Sequence, residues 1–536
     1  MRILAALLLL VACASAAPRQ PNIIVILVDD MGFSDIGCYG GEIPTPHLDA
    51  LARDGVAFTQ FYNTGRCCPT RASLLTGLYS HQTGIGWMTA DQGAPGYRGH
   101  LNDQCVTMAE VLGAAGYFTA MTGKWHVGFE HGVTPWNRGF QRSLNMPAGG
   151  LHFSDQGGAK AKAGVYLNGQ EISKQDPRLQ PPWYGCDLWT RQGVAFLDEA
   201  RATGKPFFLY LAHAAPHFPC MAPEATIAKY RGKYLKGWDQ LREERHQRQI
   251  ALGLVDPEWP LTPRPSEIPA WDSLSADQQR RYDDMMAIYA AMIDEIDQSV
   301  GRLVAALKER KVLDDTLILF LSDNGGNAES GIAGKYEGTH PGGPDSNVFI
   351  GQCWAHLSNT PFRKYKHYNH EGGIATPLIA HWPARIANAT PEIDWQRNPA
   401  HLIDLMPTVA DAAQAEYPTK HAGKAILPME GQSLLPLMTE KNIQPERTLY
   451  WEHEGNAAIR VGDWKLVRQG RTGAWELHNL QQDRTEQRDL AAQMPEKTAA
   501  LSTQWKVWAQ RVHALPYPES KKRGKGKKGK AKSAKN

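Results

Sequence analysis

Ile23-Ile24-Val25-Ile26-Leu27-Val28, followed at once by Asp29-Asp30, is a continuous apolar, mostly β-branched run that ends in two carboxylates. A run without polar alternation is the pattern of a strand buried on both faces of a sheet. Similar short runs recur at Tyr117–Met121, Phe207–Leu211, Thr316–Leu321 and Pro377–Ala380. Helical periodicity lies between some of them. The clearest case is Met285, Tyr289, Met292, Ile296, Val300, Leu303 and Leu307, spaced by threes and fours just ahead of the Thr316 run. Strands alternating with helices predict an α/β fold with a large, mostly parallel sheet sandwiched by helices. The texture changes from about Gly431. Short runs at Thr448–Trp451, Ala457–Val461, Trp464–Arg468 and Trp475–Leu480 predict a smaller antiparallel sheet, and Ala499–Val512 an amphipathic helix. The expected division is a large domain over 21–425 and a C-terminal subdomain over 426–518.

The 536 residues are 42% hydrophobic and 21% charged, an ordinary globular composition. The net charge of +3 hides an asymmetry, because residues 521–536 carry eight lysines, one arginine and no acid. The rest of the chain is therefore acidic, and the overall charge gives no ground for a nucleic-acid partner. The lysine- and glycine-rich stretch 519–536 is expected to be disordered. At the other end, Arg2, the apolar run Ile3–Val11 and Ala14-Ser15-Ala16 read as a signal peptide over 1–16. Leu10-Val11-Ala12-Cys13 also fits a lipoprotein box, so the exported body is either cleaved near Ala16 or lipid-anchored through Cys13. No transmembrane segment is expected, since no run reaches the roughly 18 apolar residues a span needs. Eight cysteines permit disulfides in an exported chain but are too sparse for a disulfide-built scaffold, and no CxxC pair suggests a zinc ribbon.

In open α/β sheets ligands bind beyond the carboxyl ends of the strands. The first strand ends in Asp29-Asp30, the Thr316 strand in Ser322-Asp323-Asn324-Gly325-Gly326, the Tyr117 strand in Gly123-Lys124-Trp125-His126, and the Phe207 strand in His213 and then Pro216-His217. One such end is a routine loop; four together predict an active-site rim. Asp29, Asp30, Asp323 and Asn324 are oxygen donors that suit a hard cation such as Ca²⁺ or Mg²⁺ better than zinc. Taken alone, Asp-Asp reads as a solvated turn or helix cap.

Cys67-Cys68-Pro69-Thr70-Arg71-Ala72-Ser73-Leu74-Leu75-Thr76-Gly77 is the most specific segment. Pro69 at a first helical position and Gly77 as a stop predict a short helix. Cys67 would then sit at the helix N-terminus, where backbone N–H groups favour an anion, with Arg71 four residues on. The alternative for the cysteine pair is a buried or disulfide-linked couple.

This segment fits C-x-P-x-R-x-x-x-x-T-G, the signature of the type I sulfatases, and the resemblance runs across nearly the whole mature chain. It includes Pro21-Asn22-Ile23 with Asp29-Asp30, Gly123-Lys124-Trp125-His126, Ala215-Pro216-His217 and Ser322-Asp323-Asn324-Gly325-Gly326. It continues through Pro361-Phe362-Arg363 with Lys366, Glu371-Gly372-Gly373 and Arg460-Val461-Gly462-Asp463-Trp464-Lys465-Leu466. The chain closely resembles bacterial arylsulfatases of the alkaline phosphatase superfamily.

The resemblance implies that Cys67, not Cys68, is oxidised to formylglycine by a formylglycine-generating or sulfatase-maturating enzyme, and that its hydrate is the nucleophile. It implies one Ca²⁺, in preference to Mg²⁺, held by Asp29, Asp30, Asp323, Asn324 and the modified Cys67. Arg71 would orient the hydrate, and Lys124 and Lys366 would bind sulfate oxygens. His126 would serve as the base and His217 as the general acid. The implied reaction is hydrolysis of sulfate monoesters, aryl sulfates in the test tube and sulfated saccharides in nature, by a periplasmic or secreted enzyme. Two other readings are a phosphonate or phosphate ester hydrolase of the same superfamily and a catalytically lapsed sulfated-glycan binding protein. His81, Gln82, Trp87, His367 and His370 lie near these motifs and read as pocket-lining or structural residues, while His213 is left out. The Arg-, Glu-, Pro- and Trp-rich stretch 232–280 reads mostly as solvated decoration, with a sugar-binding rim as the alternative. The basic tail Lys521–Lys535 is a candidate contact for polyanions, with an unengaged solvated tail as its counterpart.

Overall fold

The first apolar run forms β1 (Asn22–Val28), and every residue from Ile23 to Val28 is fully buried. Alternate side chains on a strand point to opposite faces, so Ile24, Ile26 and Val28 enter one core while Ile23, Val25 and Leu27 enter another. A strand flanked by two cores has no polar face, which is why its sequence does not alternate. The computed structural model describes residues 20–157, 164–386, 390–440 and 446–518. The signal segment 1–16 with Cys13, and the tail 519–536, lie outside the described residues.

The remaining strands of the large sheet are β2 (Val56–Tyr62), β3 (Phe118–Lys124), β4 (Arg142–Met146), β5 (Val165–Leu167), β6 (Gln170–Ile172), β7 (Phe207–Ala212), β8 (Thr316–Ser322), β9 (Ala375–His381), β10 (Trp395–Gln396) and β11 (Ala400–His401). Their order is β10-β2-β9-β8-β1-β7-β3-β4-β5-β6, with β11 also beside β2. The block β8-β1-β7-β3-β4 is parallel. The sheet is mixed beyond it, because β9 runs antiparallel to both β8 and β2. The Pro377–Ala380 run thus belongs to a strand of opposite direction, and its amino end lies at the edge where β1, β3, β7 and β8 finish.

Helices cover both faces. Gly185–Ala202 and Ala276–Glu309 pack on the Ile24 side; Cys67–Thr76, Met108–Ala114 and Leu405–Ala413 pack on the other. After a short hairpin, β12 (Lys420–His421) and β13 (Lys424–Ala425), the C-terminal strands β14 (Thr448–His453), β15 (Asn456–Val461), β16 (Trp464–Arg468) and β17 (Glu476–Asn479) form an antiparallel meander. The Pro495–Arg511 helix covers it through Trp505 and Trp508 in a third core.

The 232–280 stretch is not solvated decoration. Its Gly237–Ala251 helix buries Trp238, Arg242, Arg245 and Gln249. Trp238 packs edge-on against Trp271 and Trp354, with ring centroids 4.8 and 5.3 Å away. Arg245 is fully buried because Asp35 and Glu42 neutralise it at 2.9 and 2.7 Å. Composition reads as surface there only while the charges are counted without their partners.

Candidate active site

β1, β3, β7 and β8 are parallel, so their carboxyl ends share one edge, and the residues that follow them converge there. β2 is antiparallel to β9 and ends at the same edge, delivering Asn63 to Arg66 and then the Cys67–Thr76 helix. That helix starts at Cys67 itself, with Arg66 as its extended N-cap and Pro69 at the third position instead of the first. Gly77 closes it at φ +71, donating its N–H to the Ser73 carbonyl. Lys366 arrives from the opposite chain direction, on the loop that feeds β9.

All ten residues singled out from the sequence are buried: Asp29, Asp30, Cys67, Arg71, Lys124, His126, His217, Asp323, Asn324 and Lys366. Lys124 Nζ lies 2.5 Å from Asp29 Oδ2. The Arg71 guanidinium reaches Asp323 Oδ2 at 2.8 Å and Asp29 Oδ2 at 3.3 Å, and donates to the Lys124 carbonyl at 3.0 Å. Lys366 Nζ is 2.7 Å from Asp30 Oδ1, and His217 Nε2 is 3.6 Å from Asp30 Oδ2. Asn324 Nδ2 donates to Asp30 Oδ1 at 2.7 Å. Asp30 and His126 adopt left-handed backbone, at φ +72 and +59, a strain that non-glycine residues hold where surrounding structure over-determines them.

The electrostatics are those of a crowded, dry charge cluster. Burial and the neighbouring Asp29 charge push the Asp323 carboxyl well up despite Arg71. Burial would also raise Asp29, but the Lys124 ammonium, with His217 and Arg71, holds it below the usual carboxylate range. The Cys67 thiol is pushed well down by a hydrogen bond from Cys68, against burial, with the charges of His126 and Lys124 adding to the effect. Burial lowers His126, with Lys124 assisting, and takes His217 down to about 4. His217 Nδ1 lies 2.6 Å from the Phe218 carbonyl, a contact only an N–H can make, so Nε2 is the nitrogen turned to the site.

Among the side-chain oxygens of Asp29, Asp30, Asp323 and Asn324, two are buried without a hydrogen-bond partner, Asp29 Oδ1 and Asn324 Oδ1. An unpaired acceptor in a dry site costs free energy unless something electropositive meets it. The donors are carboxylate and carboxamide oxygens, a set suited to a hard divalent cation, so the residues fit such an ion.

Several contributors carry no sequence signal of their own. Asn327 Nδ2 donates to Asp30 Oδ2 at 2.7 Å, and Tyr289 donates to both the Asp30 carbonyl and Asp35. His152 Nε2 meets the His217 carbonyl at 2.9 Å. Arg66 and Lys366 both approach Glu329, at 2.9 and 3.6 Å. A cavity of about 420 Å³ opens beside Lys366, lined also by Glu329, His367, Tyr368 and Glu454. A second, of about 560 Å³, lies between Trp87 and Tyr517 and shares Glu454. His367 and Trp87 thus line cavities. His81 and Gln82 instead pair with Glu452 and Glu430, and His370 with Glu476. His213 is buried behind the site near Ser299, 3.1 Å away.

The seven cysteines among the described residues are free thiols, and no helix among those residues is long and apolar enough to cross a membrane.

Comparison with known proteins shows the family. The sulfatase family model matches residues 21–415, and the model for the C-terminal part of N-sulphoglucosamine sulphohydrolase matches 362–511. An uncharacterized sulfatase of Schizosaccharomyces pombe is 32% identical over 94% of this chain and 96% of its own. An arylsulfatase of Klebsiella aerogenes is 35% identical over 80% of this chain and 94% of its own. The solved structure of Ps i-CgsB superposes with a TM-score of 0.67 at 26% identity, covering 93% of this chain and 98% of that one, and the same protein has been solved in complex with k-i-k-neocarrahexaose. Motif, fold and relatives agree that the chain belongs to the sulfatase family and is a sulfuric ester hydrolase.

Proposed function

We propose that the protein is an exported sulfatase acting on sulfated saccharides through a formylglycine made from Cys67 and one Ca²⁺. What carries the reading is the buried cluster of four oxygen donors, two of them unpaired, set among Arg71, Lys124 and Lys366. Asp29, Asp30, Asp323, Asn324 and the modified residue 67 would hold the ion, which as a Lewis acid supplies polarisation of a sulfate oxygen. Formylglycine supplies, as its hydrate, an oxygen nucleophile with an internal exit for the sulfate it takes up. The pull of Cys68, His126 and Lys124 on position 67 favours an anion there.

The other residues bind, orient and move protons. Arg71, fixed by Asp323 and by the Lys124 carbonyl, orients residue 67. Lys124 and Lys366, paired here with Asp29 and Asp30, would be freed for the sulfate oxygens where a cation takes those carboxylates, and there would stabilise the charge that builds as the S–O bond breaks. His126, close to Cys67, removes a proton from the residue-67 hydroxyl. His217, whose Nδ1–H is tied to the Phe218 carbonyl, would deliver a proton from Nε2 to the leaving oxygen once the ring is doubly protonated, a state that the Asp30 carboxylate 3.6 Å away favours. The saccharide assignment rests on the cavity beside Lys366 and on the complex of Ps i-CgsB with its oligosaccharide.

Residues 1–16 would direct export and be cleaved near Ala16, with lipidation at Cys13 as the alternative route. We further propose a catalytic domain over 21–425 and a C-terminal subdomain over 426–518, with residues 519–536 contacting sulfated polymer. Peptide mass spectrometry of the protein from its own host should show the SH and H of Cys67 exchanged for an aldehyde oxygen; a wholly unmodified thiol would overturn the nucleophile. A panel of defined sulfated saccharides should be desulfated. Higher kcat/KM on a phosphate or phosphonate ester would overturn the choice of substrate.

A further inference from the structure

The loop that carries Lys366 also carries His367, which faces the turn between β14 and β15. That turn, His453-Glu454-Gly455-Asn456, places Glu454 and Gly455 consecutively in left-handed backbone, at φ +53 and +88. A two-residue hairpin of this kind favours glycine, asparagine or aspartate at its first central position, and here a glutamate stands there. His367 is left-handed as well, at φ +83, with Asn456 Nδ2 bound to its carbonyl at 2.9 Å.

His367 Nδ1 is 3.0 Å from Glu454 Oε2, and His453 Nε2 is 3.9 Å from the same oxygen. The three donor atoms lie within 4.8 Å of one another. His453 is fully buried, and neither of its ring nitrogens has a hydrogen-bond partner. A histidine with two orphaned nitrogens beside a second histidine and a carboxylate lacks a partner that all three could share.

We propose that His367, His453 and Glu454 form a second cation site, taking a divalent transition ion of the Zn²⁺ class at the mouth of the active-site cavity. Two imidazoles and one carboxylate are the donor set of open zinc sites, with ligand distances of about 2.0–2.2 Å; the three donors need only draw together around the ion. The outer layer is in place too. With an ion on Nδ1, His367 Nε2 would carry the proton and turn it to Glu329 Oε1 at 3.3 Å, displacing the Arg66 Nη1 that lies 2.5 Å from that nitrogen. A carboxylate behind a ligating histidine fixes its tautomer and orientation. Glu454 and His367 both border the cavity that Lys366 lines. Positions left open on the ion therefore face the space where a sugar hydroxyl or a sulfate oxygen completes the shell. This site differs in kind from the oxygen-donor cluster at Asp29 and Asp323, and its existence does not depend on the chemistry of Cys67.

Co²⁺ titrated into calcium-saturated protein provides the test, read by visible absorption and by calorimetry. The expected result is one equivalent bound with the intense visible bands of four- or five-coordinate Co²⁺ and no sulfur-to-cobalt charge transfer. Glu454→Gln and His367→Gln, both at partly exposed positions, should each weaken that binding at least tenfold. Absence of the visible bands at saturating Co²⁺ would overturn the proposal. So would thiolate charge transfer as the only signal, or wild-type affinity in either variant.

Discussion

Cys67 and Cys68 share one helical turn and are both buried, yet their thiols are pushed in opposite directions. Cys67 is drawn down chiefly by its hydrogen bond from Cys68, aided by His126 and Lys124, while Cys68 is pushed up by burial. Cys67→Ala should therefore reduce sulfate ester turnover about 10⁴-fold or more, and Cys68→Ala less than tenfold, in steady-state assays of fully matured protein. A second residue-scale prediction lies away from the site. Asp297 accepts from the backbone N–H groups of His47 and Leu48, yet burial raises its carboxyl to about 6. A carboxyl whose folded value exceeds its unfolded one near 3.8 binds its proton more tightly when folded, so the contribution of Asp297 to stability is greatest at low pH. It should fall by about 3 kcal/mol at most as pH rises from about 4 to 6. Asp297→Asn should flatten that slope in denaturant unfolding across the same window. The residues that sequence reading placed at the site stand in contiguous motifs. His152, Tyr289, Asn327 and Glu329 were not legible, because each is an ordinary residue whose partner lies on a distant loop.

Among the elements, the end of β3 is the most constrained. Gly123 has φ +98, and a Cβ added there would lie 1.9 Å from the Ala212 carbonyl oxygen of β7. Gly123→Ala must push apart the strand ends that carry Lys124 and lead to His217. It should cost about 2–4 kcal/mol of stability by denaturant melts and reduce turnover in the protein that still folds. The same elements show what sequence conveys about a fold. β1 was legible because a strand between two cores is apolar throughout. β2 was missed because its register with β9 shifts between Phe58 and Phe61, which puts Thr59 and Gln60 inside an otherwise apolar strand. β9 was found, but its direction was not, since a short apolar run reads the same either way. The Gly237–Ala251 helix was misjudged because Arg245 is internal only by virtue of Asp35 and Glu42, some 200 positions earlier.

At the scale of the whole molecule, the site is a concentration of buried charge, three carboxylates set among Arg71, Lys124 and Lys366, that the fold must hold closed. Asp29, Asp30 and Asp323 are fully buried together, and a cation that binds only the folded form stabilises it by mass action, by about 2.7 kcal/mol at a hundredfold excess over Kd. Calcium added to chelator-treated protein should raise the thermal midpoint, and Asp323→Asn should abolish most of the rise in scanning calorimetry.

The position of β1 has a consequence for synthesis. It leaves the ribosome ahead of the other described strands, but the residues it pairs with, on β7 and β8, follow 185 and 294 positions later. For that interval its six apolar residues are an unpaired strand with both edges open, the kind of segment that sticks to other chains. A strand at the centre of the finished sheet, between β8 and β7, is thus one that the nascent chain must keep from aggregating while most of the domain is made.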